Sequence, residues 1–353
     1  MKGQERVRTH GGKAPTLEEV ARRAGVGRGT VSRVVNGSGK VSSGTRAAVE
    51  AAVAELGYVP HRAARALAGG RADAIALVVP RSAPHLDPDV DLALSALVHG
   101  VGATLAERDL QLVLTFAGEE RERARLLRYL SARRVDGVLL LSARAGDPLP
   151  ELVAELGVPV VLAGRRQERE TLPSVGFDER GGAAAAVGHL LRRGRRAIAA
   201  LTGAPEAYAP RCRLGGYRQA LEGAGRGVDE RLIAVAECSE AGGRRAMREL
   251  LERRPGLDAV FAASDLMAAG AGRELRAAGR RIPGDVALVG FGDSPVAPFL
   301  EPPLTSVRRP AAELGRAVTR MLLELISAEP AGEDRRPERT LLLPTRLIVR
   351  ESS

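Results

Sequence analysis

Residues 16–36 read TLEEVARRAGVGRGTVSRVVN, and this stretch predicts two short helices joined by a tight turn. Thr16 followed by Glu19 is the pattern of a capping box, which starts the first helix. Gly25 can adopt the positive φ that the turn requires, and the small side chain of Ala21 allows the helices to approach closely. The stretch is therefore typical of a helix-turn-helix.

The second helix of this pair, predicted over residues 28–36, has one apolar side and one polar side. Val31 faces inward, which leaves the other side suited to the major groove of DNA. That exposed side carries Arg28, Ser32, Arg33 and Asn36. An arginine can bind O6 and N7 of guanine together, whereas hydroxyl and amide groups bind phosphates and fix the register. The pattern indicates double-stranded DNA as a partner.

The positive charge of the chain is concentrated around this motif. The 353 residues carry a net charge of +10. Residues 1–72 contain 13 Lys and Arg against 5 Asp and Glu, whereas residues 73–353 contain 40 against 38. A local surplus of positive charge is typical of a protein that binds a polyanion, because each neutralised phosphate releases counterions.

The remaining sequence predicts a third helix and then a larger α/β domain. The third helix is expected over Ser43–Leu56, before Gly57. From Ala74 onward, short apolar runs alternate with amphipathic stretches, as in parallel sheets covered by helices on both faces. The apolar runs are Ala74–Val79, Gln111–Thr115, Gly137–Leu141, Val158–Leu162, Arg196–Leu201, Ala259–Ala262 and Val286–Gly290. These runs are too many for one small sheet, so we expect two similar lobes with a ligand cleft at their strand ends.

Several classes of protein lack support in the sequence. The apolar runs are far shorter than the roughly 20 residues of a membrane-spanning helix, and residues 1–13 lack the apolar stretch of a signal peptide, so we expect a cytoplasmic protein without membrane contact. Cys212 and Cys238 lack metal-ligand spacing and are expected to be free thiols. No HExxH, GxSxG or complete GxGxxG motif occurs. We therefore expect neither an enzyme nor a cofactor nor a metal.

At these residues the chain resembles the lactose-repressor and galactose-repressor (LacI/GalR) family. The family pattern T-x-x-x-V-A-x-x-A-G-V-S-x-x-T-V-S-R-V-x-N matches residues 16–36, with Gly27 in place of its middle serine. V-S-x-x-T-R-x-x-V matches residues 41–49, and L-G-Y-x-P-N-x-x-A-R-x-L matches residues 56–67, with His61 in place of the asparagine. Shorter matches, such as SDLMA at 264–268 and VGFGD at 289–293, extend the likeness over nearly the whole chain.

The resemblance implies which residues contact DNA. Arg28, Gly29 and Arg33 stand at the family's base-reading positions, and because Gly29 has no side chain we expect Arg28 to carry more of the readout. The residues implied to lie near phosphates are Thr16, Thr30, Ser32, Asn36, Ser42 and Thr45. Residues 62–67 match the family's hinge helix, in which Arg62 and Ala64 accompany Leu67, the leucine inserted into the minor groove at the centre of the site. The alternative for Leu67 is packing in a core.

The resemblance also implies a small-molecule effector in the cleft, gripped by Arg213. The other implied effector-binding residues are Leu141, Gly164, Arg165, Ser264 and Gly292. Gly292 stands where the family often has Asp, Ser264 where Asn is common, and Gly164 where an Asp or similar polar group can occur. The set is therefore less typical of a sugar site. Together with Arg211, the two arginines leave an anionic ligand as an alternative to a sugar or related metabolite.

The predicted fold is α/β: an N-terminal all-α helix-turn-helix head plus hinge helix, then a bilobal periplasmic-binding-protein-like core of two doubly wound parallel sheets. The expected segments are a disordered tail at 1–14, the head at 15–60, the hinge helix at 61–72 and the core at 73–353. Within the core, one lobe is expected at about 73–175 and 308–338, and the other at about 176–306 and 340–353.

The resemblance implies a transcriptional regulator of the repressor type whose DNA affinity depends on the effector. A homodimer or dimer of dimers is expected to bind a pseudo-palindromic operator. The alternative is a solute-binding protein with the same core fold. That reading requires a secretory signal and the absence of a DNA-binding head, and the sequence before residue 74 fits neither condition.

Overall fold

The computed structural model describes residues 15–35, 41–58, 71–80, 88–141, 146–328 and 340–353, with side chains in the helix that begins at Pro88 described from residue 93. The predicted tail and nearly all of the predicted hinge helix lie outside these residues. The chain divides into two compact units, residues 1–72 and 73–353. A membrane-crossing helix would need a long apolar run that no helix in the described ranges provides.

The first unit contains the predicted three helices, α1 (Leu17–Ala24), α2 (Arg28–Val35) and α3 (Ser43–Leu56). The capping box at the start of α1 is present, since Glu19 N–H donates to Thr16 Oγ1 and Thr16 N–H donates to Glu19 Oε2. Gly25 ends α1 with φ +67°. A small apolar core holds the three helices together, formed mainly by Val20, Ala21, Val31, Val34, Val49, Ala52 and Tyr58.

The second unit contains two six-stranded sheets. The strands of the first sheet are β1 (Ala74–Pro80), β2 (Gln111–Ala117), β3 (Gly137–Leu141), β4 (Val160–Ala163), β5 (Ser174–Phe177) and β11 (Thr340–Leu343). The order is β11-β5-β4-β3-β1-β2, with every neighbouring pair parallel. Helices α4 (Pro88–Ala106), α5 (Glu120–Ser131), α6 (Leu149–Glu155) and α11 (Ala311–Ser327) cover this sheet.

The strands of the second sheet are β6 (Ile198–Thr202), β7 (Ile233–Val235), β8 (Ala259–Ala262), β9 (Ala287–Gly292), β10 (Thr305–Arg308) and β12 (Arg346–Ile348). Their order is β12-β10-β9-β8-β6-β7, with β12 the single antiparallel strand among them. The accompanying helices are α7 (Glu179–Arg192), α8 (Tyr208–Gly223), α9 (Glu240–Arg253) and α10 (Asp265–Ala277). The predicted pair of doubly wound sheets is confirmed.

The lobe boundaries expected near 175 and 306 lie within two residues of the ends of β5 and β10, and the large difference is at residues 340–343. Residues 340–343 were expected in the second lobe, but β11 pairs with β5 and extends the first sheet. The reason is hydrogen bonding: β11 satisfies the backbone groups of the β5 edge before the chain crosses to form β12. The chain therefore passes between the lobes three times, after β5, after β10 and after β11.

Close packing of α4 against α11 leaves no room for a side chain at Gly100. A Cβ atom there would overlap the carbonyl oxygen of Ala312, whereas a Cβ on Gly102, in the same helix, would have open space around it. We expect Gly100→Ala to lower the free energy of unfolding by about 1–3 kcal/mol, as overpacking does. Gly102→Ala, the matched control, should raise it by up to about 1 kcal/mol because alanine favours helix. Urea unfolding of both variants tests this, and equal effects would contradict the packing described.

Candidate functional site

The outward face of α2 carries the residues that the sequence assigns to base reading. Arg28, Gly29 and Arg33 are exposed, and Thr30 and Ser32 are half-buried, while Val31 and Val34 point into the core. Arg28 Nη1 lies 3.2 Å from Glu18 Oε1 at the start of α1. Arg33 Nε donates to the carbonyl oxygen of Gly29, 3.1 Å away. The helix thus presents two arginines and no acidic side chain.

Three of the residues assigned to phosphates sit at helix starts. Thr16 caps α1, and Ser42 caps α3 by accepting from the N–H of Thr45 at 3.3 Å while its hydroxyl donates to Thr45 Oγ1 at 2.9 Å. The N-terminus of a helix is a favourable place for a phosphate because its N–H groups and dipole attract an anion. Asn36, Arg62, Ala64 and Leu67 lie outside the described residues, so their assignment to DNA stays a prediction.

Gly27 precedes α2 and provides only its backbone to the start of this helix. Its carbonyl oxygen accepts from the N–H groups of Thr30 and Val31, at 2.8 and 3.2 Å. A Cβ atom at Gly27 would meet nothing within 4 Å, and the same holds for Gly29. The outward face of α2 is therefore open at Gly29, which leaves Arg28 as the adjacent long side chain.

A cavity of about 520 Å³ opens between the two lobes of the second unit, at the carboxyl ends of the strands. Five of the six predicted effector-binding residues line it: Leu141, Gly164, Arg165, Arg213 and Gly292. Leu141 ends β3, Gly164 and Arg165 follow β4, and Gly292 ends β9. Both sheets thus contribute to one pocket, as expected for a doubly wound fold.

Ser264 does not line this cavity, and its assignment to the effector needs correction. The residue is fully buried at the start of α10, where its hydroxyl accepts from the N–H of Met267 at 3.2 Å. The hydroxyl thus caps the helix from a fully buried position that the cavity does not reach. The resemblance placed the residue by sequence position and carried no information about this local hydrogen bond.

Arg213 is held rigidly although it lines the cavity. Its side chain is 2% exposed, Nε donates to Glu179 Oε2 at 2.7 Å, and Nη1 donates to the carbonyl oxygen of Ala263 at 2.6 Å. The guanidinium also lies 4.3 Å from the centre of the Phe291 ring. These contacts fix the orientation of the group, so that binding a ligand costs little side-chain entropy.

A second charged cluster lines the cavity at the end of β9 and was not recognised from the sequence. Asp293 Oδ2 accepts from Arg308 Nε at 2.6 Å, and Asp293 Oδ1 lies 2.7 Å from Arg350 Nη2. The three residues come from three separate segments, which only the folded chain brings together. No motif around Arg308 or Arg350 identified them.

The backbone conformation and the surroundings of residue 292 explain why it is a glycine. Its φ is +129°, which side chains rarely adopt, and a Cβ there would lie 3.3 Å from Oδ2 of Asp265. Asp265 is fully buried, accepts from Ser306 Oγ at 2.5 Å and from the N–H of Ser294 at 2.6 Å, and its burial raises the pKa of the carboxyl group. A second carboxylate at 292 would meet this buried acid at close range.

Tyr208 is another lining residue that the sequence did not reveal. Its ring lies under the guanidinium of Arg165 at 5.1 Å, so that a side chain of the first lobe touches one of the second across the cavity. The guanidinium of Arg211 lies 5.6 Å from the same ring. Burial raises the pKa of Tyr208 to about 12, above an ordinary value at which the phenol is already protonated at neutral pH.

Removal of Arg213 should destabilise the second unit strongly. Arg213→Ala leaves the buried Glu179 without its 2.7 Å partner, and we expect a loss of about 3–5 kcal/mol in the free energy of unfolding. Arg211→Ala, an exposed arginine on the same helix, should change it by no more than about 0.5 kcal/mol. Urea unfolding measures both. A decrease of less than about 1 kcal/mol for Arg213→Ala would show that the Arg213–Glu179 ion pair does not stabilise this part of the fold.

Comparisons with known proteins agree with this arrangement. Residues 16–61 match the family model of bacterial regulatory proteins, lacI family, and residues 187–353 match that of the periplasmic binding protein-like domain. The HTH-type transcriptional regulator CelR of Thermobifida fusca is 48% identical over 342 residues, covering 96% of this chain and 98% of the relative.

Solved structures give the same result. A CelR-cellobiose complex, 45% identical, covers 96% of this chain and 100% of its own with a TM-score of 0.72. The lac repressor dimer bound to operator and the anti-inducer ONPF, 28% identical, covers 96% and 99% with a TM-score of 0.79. Head and core are thus both shared with such regulators over almost the full length, and the protein belongs to the LacI family of bacterial helix-turn-helix transcriptional regulators.

Proposed function

We propose that the protein is a repressor that binds a pseudo-palindromic operator as a homodimer, with a saccharide in the cleft setting its DNA affinity. The observation that carries this proposal is the combination, in one chain, of the outward-facing basic helix α2 and a cavity of about 520 Å³ lined by both lobes. The head favours a regulator over the solute-binding alternative. On this proposal the chain catalyses no reaction and acts in the cytoplasm, where the operator lies.

For the DNA half of the function, Arg28 and Arg33 contact bases from α2, and hydroxyl groups at the helix starts bind phosphates. Two heads related by the dimer axis read two half-sites, so the symmetry of the protein explains a pseudo-palindromic site. Residues 62–67, in this proposal, contact the minor groove at the centre of the site, with Leu67 as the wedge.

For the effector, we propose a neutral disaccharide of glucose, in the class of cellobiose. The solved CelR complex contains cellobiose, and the cavity volume lies within the roughly 300–1,000 Å³ typical of small-molecule sites. Several cavity arginines have acidic partners, because Arg213 pairs with Glu179 while Arg308 and Arg350 share Asp293. Guanidinium groups that are held by acidic partners present N–H donors in fixed positions, which suit the hydroxyl groups of a sugar.

The cleft couples to DNA through the angle between the lobes. A ligand that contacts both lobes favours the lobe arrangement that it binds more tightly, and it shifts DNA affinity only by that difference in binding. The chain crosses between the lobes three times, and these three connections form a hinge. A change in lobe angle therefore rotates the two lobes as rigid bodies about this hinge.

Replacing Arg28 should relax operator preference. Arg28→Ala removes the donor pair proposed to bind guanine, and we expect about 1–3 kcal/mol less discrimination at the base pair it contacts. Competition binding of the full chain against an operator and all its single-base variants measures this. Unchanged relative affinities across the set would contradict the reading role of Arg28, even if overall affinity fell.

Cellobiose should stabilise the protein and change its DNA affinity. At a concentration of about 100 times its Kd, a ligand specific for the folded state adds roughly 2.7 kcal/mol to the free energy of unfolding. Thermal unfolding with cellobiose, with maltose as the control of different linkage, and with cellobionate as the anionic analogue tests the ligand class. Tighter binding of cellobionate than of cellobiose would contradict a neutral ligand and support the anionic alternative.

A further inference from the structure

We infer that Glu18 is a positioning residue for base reading, which holds the guanidinium of Arg28 by one nitrogen and leaves its other edge for guanine. The inference rests on the proposed role of Arg28 at the operator. Glu18 lies at the start of α1 and Arg28 at the start of α2, so the turn of the helix-turn-helix brings a carboxylate from one helix to the reading arginine of the next.

The pair is exposed on the surface assigned to DNA. Glu18 Oε1 lies 3.2 Å from Arg28 Nη1, and the side chains are 54% and 73% exposed. An ion pair this open contributes little to stability. Its effect therefore falls on the conformation of Arg28, whose long side chain otherwise samples many rotamers and must lose that freedom on binding.

The geometry matches the needs of guanine recognition. The contact with Glu18 uses Nη1, while the edge formed by Nε and Nη2 carries the parallel N–H groups that a bidentate contact with O6 and N7 requires. A guanidinium can serve both partners at once, because its five N–H groups point along different edges of one plane. Glu18 thus orders Arg28 without occupying the edge that reads the base.

The same carboxylate opposes binding at other sequences. Where no guanine is in reach, Arg28 gains nothing from the groove, and the negative charge of Glu18 remains close to phosphates, which raises the free energy of the complex. Glu18 therefore widens the difference in affinity between the operator and other DNA.

Two other acids of α1 and α3 offer a contrast. Glu19 is engaged in the capping box with Thr16. Glu55 forms an ion pair of nearly the same exposure as Glu18, at 2.6 Å from Arg23, but its partner lies on α1 and not on the reading helix. Glu55→Gln is thus a matched control that makes the same change in charge on the same head.

The test uses the full chain and four variants: Glu18→Gln, Glu55→Gln, Arg28→Gln and the Glu18→Gln/Arg28→Gln double variant. Competition binding against the operator, its single-base variants and a random duplex gives the preference at each position. We expect Glu18→Gln to lower the preference for guanine at the Arg28 position by roughly three- to fivefold, the size expected for an exposed pair. Glu55→Gln should leave that preference unchanged, and Glu18→Gln should add nothing in the Arg28→Gln background.

Other outcomes for Glu18→Gln and Arg28→Gln separate the positioning role of Glu18 from the reading role of Arg28. If Glu18→Gln keeps the wild-type preference while Arg28→Gln loses it, the positioning role is overturned and the reading role of Arg28 stands. If Arg28→Gln also keeps the preference, the proposed reading role fails, and the inference fails with it. If Glu18→Gln weakens binding to every duplex equally, Glu18 serves only the stability of α1, and the inference is again overturned.

Discussion

The burial of Val31 together with Val20 and Val49 in one small core is the packing on which the predicted DNA-binding surface of α2 depends. These side chains are fully buried in a core of few residues, and they fix the rotation of α2 about its own axis. Once Val31 points inward, the helical period places Arg28 and Arg33 on the outside. The side of α2 that is predicted to read bases thus follows from the burial of three valines.

In the second unit the constraint is electrostatic. Glu179 and Arg213 are buried at the cleft and Asp293 and Arg350 are partly buried there, and charges removed from water in this way are tolerated only with partners. Glu179 holds Arg213, and Asp293 holds Arg308 and Arg350, with members of each group on different segments. These ion pairs allow the charged side chains to be buried, and they also fix the positions of the guanidinium N–H groups that a ligand in the cleft would contact. Stability and recognition therefore depend on the same residues.

Local signals in the sequence predicted the head well. The capping box at Thr16, the turn at Gly25 and the extent of α3 lie where the sequence placed them, because each depends on residues close together in the chain. The runs Gly137–Leu141 and Ala259–Ala262 are strands with those bounds, since strands buried on both faces are continuously apolar. The edge strands β7 and β12 were missed because each has only three residues, too few to show a strand pattern.

The cleft was predictable only in part. Arg165, Arg213 and Gly292 could be assigned to the cavity from the sequence, because they follow predicted strands or stand in motifs that match the family. It failed for Ser264, whose hydroxyl caps a helix, and it gave no sign of Tyr208 or of Arg350, which reach the cavity through tertiary packing. Likewise β11 was assigned to the wrong lobe because a crossing of the chain depends on which sheet edge offers free hydrogen-bonding groups.

If α2 reads bases while the rest of the chain regulates that contact, the full-length protein should select a defined sequence from a library of random duplexes at moderate salt. We expect enrichment of a single sequence with two inverted half-sites that contain guanine. Recovery of a pool indistinguishable from the starting library would contradict it.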